Sequence, residues 1–216
     1  MWDIGVNSNM NFPAPVAAVG FLAACAGSLL SLFALAMAAF VRKRQIAQLT
    51  MLLVACGALV YFGLLFGFSL GSRDHLLAQG QEKYFCEIDC HLAYSVLQVK
   101  TEPSLTSIHY VVTLRTRFDE TTISAHRPKD APLTPSPRTV QLIDSRGAIY
   151  SPESASGMSL ASPLIPGQSY ATEFSFQVPT GARALRLLVT TAPQWPDHVV
   201  IGDENSWLHK KTYFSL

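Results

Sequence analysis

The chain has 216 residues, of which 49% are hydrophobic and 14% charged, with 16 Lys and Arg against 15 Asp and Glu. From Ser72 onward there are 13 basic and 14 acidic residues. That balance excludes a nucleic-acid-binding protein, which needs a basic face, and gives no purchase on acidic substrates.

Residues 1–15 are polar and end in Pro13-Ala14-Pro15, a suitable entry to a helix because proline gives up no needed N–H in a first turn. Val16–Val41 is apolar without a charge, and Leu49–Leu70 repeats the pattern. Each run exceeds the ~20 residues that cross a bilayer core. Between them stands Arg42-Lys43-Arg44, the densest basic cluster in the chain. By the positive-inside rule this loop faces the cytoplasm. The expected plan is an outer segment 1–15, transmembrane helices 16–41 and 49–71 joined by a basic loop 42–48, a connector 72–82, and an outer domain 83–216. The leader Met1-Trp2-Asp3-Ile4 lacks a basic n-region and the apolar run outlasts a signal sequence, so the first span reads as a retained anchor.

Gly20, Ala24 and Ser28 space small residues by four in the first span, and Gly63, Gly67 and Gly71 form a GxxxGxxxG ridge in the second. Such a ridge is a helix-packing surface, because small residues let two backbones approach closely in lipid. It serves either the hairpin itself or docking onto another membrane subunit. Neither span holds an ionisable residue from Val16 to Val41 or Leu49 to Leu70, which argues against an ion path. Cys25 and Cys56 lie inside the spans, where a thiol packs as a small apolar group.

After the connector the pattern changes to period two. Ile108, Tyr110, Val112, Leu114 and Phe118 share one face, with His109, Thr113, Arg115 and Arg117 on the other. Tyr170, Phe174, Phe176 and Val178 alternate likewise with Glu173, Ser175 and Gln177. These are strands with one buried face. Further strands are expected at His91–Lys100, Thr139–Ile143, Ala148–Tyr150, Ala184–Thr190, Val199–Ile201 and Trp207–Phe214, separated by turns at 144–147, 166–167 and 179–181. Pro128–Pro137 carries four prolines and cannot enter a sheet interior, while the serine-rich Ser151–Pro163 reads as a surface loop. The fold class that follows is a two-helix transmembrane hairpin followed by an all-β, immunoglobulin-like sandwich.

Val140-Gln-Leu-Ile-Asp-Ser-Arg-Gly-Ala-Ile-Tyr150, Leu164-Ile-Pro-Gly167, Phe174-Ser-Phe-Gln-Val-Pro179 and Leu185-Arg-Leu187 together resemble the telokin-like, immunoglobulin-fold domains of bacterial membrane-anchored proteins and lipoproteins. The resemblance covers roughly residues 108–190. It implies an extracytoplasmic binding or structural role and brings no catalytic residues.

The segment with chemical potential is Tyr84-Phe85-Cys86-Glu87-Ile88-Asp89-Cys90-His91. A Cys86–Cys90 disulfide, the preferred reading, requires the backbone to turn, since four extended residues would separate the Cα atoms by ~13 Å against the 4.4–6.8 Å a bridge spans. The alternative is a copper or zinc site on Cys86, Cys90 and His91, with a fourth ligand from His75, His109, His126, His198 or His209. The plan of two helices and a β domain with Cys-x3-Cys resembles cytochrome oxidase subunit two. That family's loop has a histidine and a methionine at the positions of Tyr94 and Leu97, which argues against a binuclear copper centre. Cys-x3-Cys-His is also one residue longer than the haem c attachment motif.

Three further features carry little chemistry. Asp197, Asp203, Glu204 and Asn205 fit no calcium-loop spacing and read as a solvated loop. Gly157-Met158-Ser159-Leu160-Ala161 lies in a serine-rich loop rather than a strand-turn-helix, so its likeness to a nucleophile elbow is chance. Trp195 and Trp207 read as core or rim aromatics, with Trp207 a possible anchor for a partner.

The resulting expectation is a non-enzymatic protein of the bacterial cytoplasmic membrane, with both termini and the β domain on the periplasmic side. Its partners are the membrane and a protein in the membrane or periplasm, with no obligatory cofactor. The competing expectation is a thiol-redox or copper-handling protein centred on Cys86, Cys90 and His91.

Overall fold

The computed structural model describes residues 7–86, 90–123, 128, 130–192 and 194–216. Residues 1–6 of the outer segment, Glu87, Ile88 and Asp89 of the cysteine segment, and His126 lie outside the described residues.

Two helices open the structure, α1 (Ala14–Phe40) and α2 (Arg44–Gly71). At 27 and 28 residues they are about 40 and 42 Å long, enough to cross a bilayer core of about 30 Å. Both are apolar enough to do so, and almost all of their surface is exposed. The connection is shorter than the expected loop 42–48, because α2 begins at Arg44. Arg42 adopts a left-handed conformation (φ 53°), the Arg42 N–H reaches the Ala39 carbonyl and the Lys43 N–H the Ala38 carbonyl. This Schellman closure reverses the chain in three residues and sets Arg42 just past the C-terminus of α1, an end that favours positive charge.

Ten strands follow: β1 (His75–Leu77), β2 (Lys83–Phe85), β3 (Leu92–Pro103), β4 (Ser107–Phe118), β5 (Arg138–Ile143), β6 (Ile149–Tyr150), β7 (Ser154–Gly157), β8 (Ser169–Pro179), β9 (Arg186–Thr191) and β10 (Thr212–Ser215). They form two five-stranded sheets, ordered β2-β3-β4-β8-β7 and β1-β10-β9-β5-β6. The only parallel pair among the described strands is β1 with β10. The fold is a β-sandwich behind two long apolar helices. Tyr94, Val96, Val112, Leu114, Phe118, Phe174, Phe176 and Val178 of one sheet meet Leu77, Val140, Leu142, Leu187, Val189 and Phe214 of the other. The two-residue period of β4 and β8 fills this core as expected: their inward residues are the buried ones from Val112 and Thr172 on.

Four expectations need correction. Val199–Ile201 is no strand; it follows a 3₁₀ turn, Trp195–Val199, and runs into a tight loop. The final strand begins at Thr212, not at Trp207. The serine-rich stretch contains β7, which adds an edge to β8 through the register Ser154↔Ser175 to Gly157↔Thr172. The connector 72–82 contains β1, whose Leu77 enters the core. In the last two cases pairing with a neighbouring strand, β8 for β7 and β10 for β1, overrides weak local propensity.

Candidate functional site

The polar side chains of the β domain converge where it meets the helices, and the segment before α1 organises that junction. Residues 7–11 insert between β2 and the loop after the 3₁₀ turn. The Asn9 N–H donates to the Tyr84 carbonyl, the Tyr84 N–H to the Asn7 carbonyl, the Glu204 N–H to the Asn9 carbonyl, and the Asn11 N–H to the Gly202 carbonyl. The buried Asn9 side chain uses its remaining groups too: its Oδ1 accepts from the Cys86 N–H at 2.7 Å and its Nδ2 faces Asp203 Oδ2 at 3.4 Å. A buried asparagine with every group occupied fixes a geometry, since each unmade bond would carry a desolvation cost. Asn11 Nδ2 donates to the Phe68 carbonyl at 2.9 Å, one of those a helix end leaves unpaired. Phe12 packs edge-on against Phe68 at 4.7 Å.

Behind this clasp lies a buried ion pair. Lys83 Nζ donates to Glu204 Oε2 at 2.7 Å and Oε1 at 3.0 Å, to the Val189 carbonyl at 2.7 Å and to the Thr212 carbonyl at 3.1 Å. Both side chains are out of contact with water. The lysine thereby ties β2 of one sheet to β9 and β10 of the other. Burial pulls the Lys83 ammonium below its ordinary pKa, with Glu204 opposing that shift. The neighbouring Asp203 moves the other way: burial raises it to about 7 against the N–H it receives from Asn205, with Glu204 and Asp197 adding like charge. The stretch 203–206 is therefore not the solvated loop its composition suggests; Glu204, Asn205 and Ser206 are buried. Sequence does hold one signal for the pair. Period two puts Lys83 on the same inward face as Phe85, and a cation there demands a buried anion.

Beside Glu204 a cleft of about 270 Å³ opens next to the end of α2, lined by Arg73, His75, His209, Lys210 and Thr212 with Ser8 and Asn11. Burial lowers the pKa of His209.

Cys86 and Cys90 form a disulfide, with Cα atoms 4.1 Å apart. Cys86 is buried against Met10, Ala14 and Ala17, with Cys90 and Val200 at the edge of that cluster. The bridge thus sits under the start of α1. His91 lies apart in its interactions: its Nδ1 is 2.7 Å from Thr122 Oγ1 and its ring stacks on Phe118 at 5.5 Å. With both sulfurs bonded to each other, as the preferred reading has it, neither is a free thiolate for the alternative Cys86, Cys90, His91 ligand set. Of the proposed fourth ligands, His75 and His209 line the cleft, His198 Nδ1 is 2.9 Å from the Asn205 carbonyl, and His109 lies nine residues along β4 from Phe118, about 30 Å. Among the described residues no three His, Cys, Asp or Glu side chains are grouped to hold a metal.

A second network covers the outer face of β2 and β4. Arg117 donates to Glu82 at 2.8 and 2.9 Å and to Asp119 at 3.1 Å, and the Tyr84 hydroxyl donates to Asp119 at 2.7 Å. Burial works against the Asp119 charge, yet bonds from Tyr84, Thr121 and Arg117 together hold it down at about 2. A carboxylate depressed in the folded state contributes stability above its unfolded pKa and loses it as pH falls toward the folded one. Thermal unfolding followed from pH 6 downward is therefore expected to show a loss between about pH 4 and 2 that Asp119→Asn removes.

No protein-family model matches the chain, and no curated protein sequence matches it. Among solved structures, an uncharacterised β-sandwich protein from Clostridium difficile aligns with 67% of this chain and 95% of its own, at 11% identity and a TM-score of 0.39. So slight a likeness transfers nothing to this protein.

The glycine ridge does not hold the hairpin together. A Cβ placed on Gly63, Gly67 or Gly71 would meet nothing within 4 Å. Leu65 and Ser69 are the buried residues of α2 instead. At 100° per residue, Gly63 and Gly67 lie about 160° from Leu65, on the opposite side of the helix.

Proposed function

We propose that this is a non-enzymatic, membrane-anchored protein whose β domain stands on the periplasmic face of a bacterial cytoplasmic membrane and serves as a subunit or assembly partner of a larger membrane complex. The kinship of the domain with telokin-like, immunoglobulin-fold domains belongs to the same proposal. The observation that carries it is the outward-facing ridge Gly63, Gly67 and Gly71. About two and a half turns at the outer end of α2 present bare backbone on the side opposite the buried Leu65 and Ser69, a surface on which a partner subunit's helix packs closely. The segment before α1 and the β domain share one end of the hairpin, which agrees with an even number of crossings and the basic turn at the opposite end.

Thiol exchange fits the geometry less well. Exchange needs a sulfur open to an attacking thiolate, and Cys86 is buried beneath α1. The bridge closes a five-residue ring, so in the chain-entropy treatment it contributes about 2 kcal/mol. Cys86→Ser with Cys90→Ser is expected to lower unfolding stability by about that amount and to leave membrane association unchanged. Loss of a redox or copper phenotype at unchanged stability would instead favour the thiol reading.

The test of the assembly role is Gly67→Leu. In native membranes solubilised mildly, the wild-type chain is expected to migrate in a complex larger than itself and the variant to lose it. The variant's unfolding midpoint should not move, because the site is open. Unchanged migration of Gly67→Leu, or a wild-type chain that migrates alone, would overturn the proposal.

A further inference from the structure

This inference rests on the spanning reading of α1 and α2. Setting the basic start of α2, Arg44, at the inner hydrocarbon boundary leaves about 12 Å of the helix, its last eight residues, beyond the outer one. That emergent stretch, 64–71, is the part the junction holds: Phe68 meets Phe12 and Asn11. Just below it, ten residues or about 15 Å from Gly71, the Tyr61 hydroxyl donates to the Val199 carbonyl at 2.7 Å. The 3₁₀ turn Trp195–Val199 is thereby fixed beside α2 near the level where hydrocarbon gives way to headgroups.

A second piece of chain joins it there. The Trp207 N–H donates to the His198 carbonyl at 3.2 Å and Ser206 Oγ to the Val200 carbonyl, bringing the Trp207 ring to 6.3 Å from that of Trp195. Although hydrogen bonds tie this loop together, its large apolar groups are exposed: Trp195 70%, Leu208 65% and Trp207 42%. Leu208 also sits at φ 66°, a left-handed conformation that is strained for a leucine and returns nothing if the side chain ends in water.

We propose that Trp195, Trp207 and Leu208 form a wedge that the β domain sets into the outer headgroup layer, so that the partner of this surface is the lipid bilayer itself. Indole suits that layer because it joins a large apolar body to an N–H that still finds polar partners. The leucine gains an apolar surrounding on the hydrocarbon side. With α1 and α2 as one attachment and the wedge as another, the sandwich is held at a fixed tilt rather than swinging on a tether.

The test uses the full chain with Trp2→Phe, reconstituted in phosphatidylcholine–phosphatidylglycerol nanodiscs whose acyl chains carry bromine either near the headgroup or near the chain ends. Trp195 and Trp207 emission, separated by the single changes Trp195→Phe and Trp207→Phe, is expected to fall more with the shallow bromine and to resist aqueous acrylamide. A reference variant with all three tryptophans changed to Phe and Leu53→Trp reports on α2 at mid-membrane. Its emission is expected to fall more with the deep bromine. Loop tryptophans indifferent to bromine and quenched by acrylamide, with Leu53→Trp quenched by lipid, would overturn the wedge while leaving the anchor intact; the face would then belong to water or to a protein. An unquenched Leu53→Trp would overturn the spanning reading, and the wedge with it.

Discussion

Lys83→Met is expected to lower the stability of the β domain by about 3–5 kcal/mol, the cost of leaving a buried carboxylate without its cation. Glu204 has no water to turn to, since both members of the pair are buried. The Val189 and Thr212 carbonyls, which Lys83 also serves, would lose a donor in the same step. Because those carbonyls belong to β9 and β10 while the lysine belongs to β2, the loss falls on the attachment of one sheet to the other. The reciprocal change, Glu204→Gln, keeps the shape of the acceptor and is expected to cost less, as an amide oxygen still receives one bond. The decisive comparison is the double variant Lys83→Met, Glu204→Leu. If the charge imbalance is the cause, the double variant recovers much of what Lys83→Met loses, since apolar replacement of a whole buried pair is often neutral. Denaturant unfolding of the reconstituted or detergent-held chain measures all three. Equal losses in the single and double variants would mean that packing volume, not charge, is what Lys83 supplies.

Gly202→Ala comes next, at about 2–4 kcal/mol, and acts on the clasp instead of the core. Gly202 has φ 78°, and a Cβ there would fall 2.4 Å from the Phe12 Cβ and 2.9 Å from the Phe12 nitrogen. Neither is the far end of a flexible side chain, so the segment 7–11 has to move away. With it go the Asn11–Gly202 and Asn9–Glu204 backbone bonds and the bond from Asn11 to the Phe68 carbonyl. The expected readout is rapid amide exchange at residues 7–11 and at Cys86, whose N–H faces Asn9 Oδ1, with β4 and β8 still protected. Protection unchanged at Asn9 and Cys86 would show that the clasp tolerates the methyl group and that its role has been overstated.

These two sites also show how far the sequence could be read. Strands β4 and β8 were legible because their period follows from burying one face of a long strand, a local rule acting on eleven or twelve residues. The disulfide was legible as a constraint, since covalent geometry limits the Cα separation whatever the surrounding fold. The stretch 199–206 was not legible. Its polar half, 203–206, is short of period, and what buries it is Lys83 and Asn9, more than a hundred residues earlier in the chain. Composition marked Glu204 as solvated because carboxylates are mostly so, and only the inward position of Lys83 pointed elsewhere. The ridge on α2 was visible as a pattern, but which way it faced depended on which side of the helix the fold covers, and that side carries Leu65 and Ser69.

The pairing of residues 7–11 with 202–204 has a consequence in time. A ribosome releases the first of these segments nearly two hundred residues before the second, and the hairpin lies between them. Under the proposed topology, residues 7–11 cross the membrane ahead of α1 and then wait there, their backbone groups served only by water. Neither Tyr84 nor Gly202 has yet been made. Closing a contact across so much chain is slow and follows the local strand pairings. The clasp is thus the last seam to form, and the sandwich can be complete while its orientation on the anchor is still open. An assembly factor or a partner helix that reaches the protein in that interval meets a domain hinged at Ser72, whereas one arriving later meets a finished, locked surface.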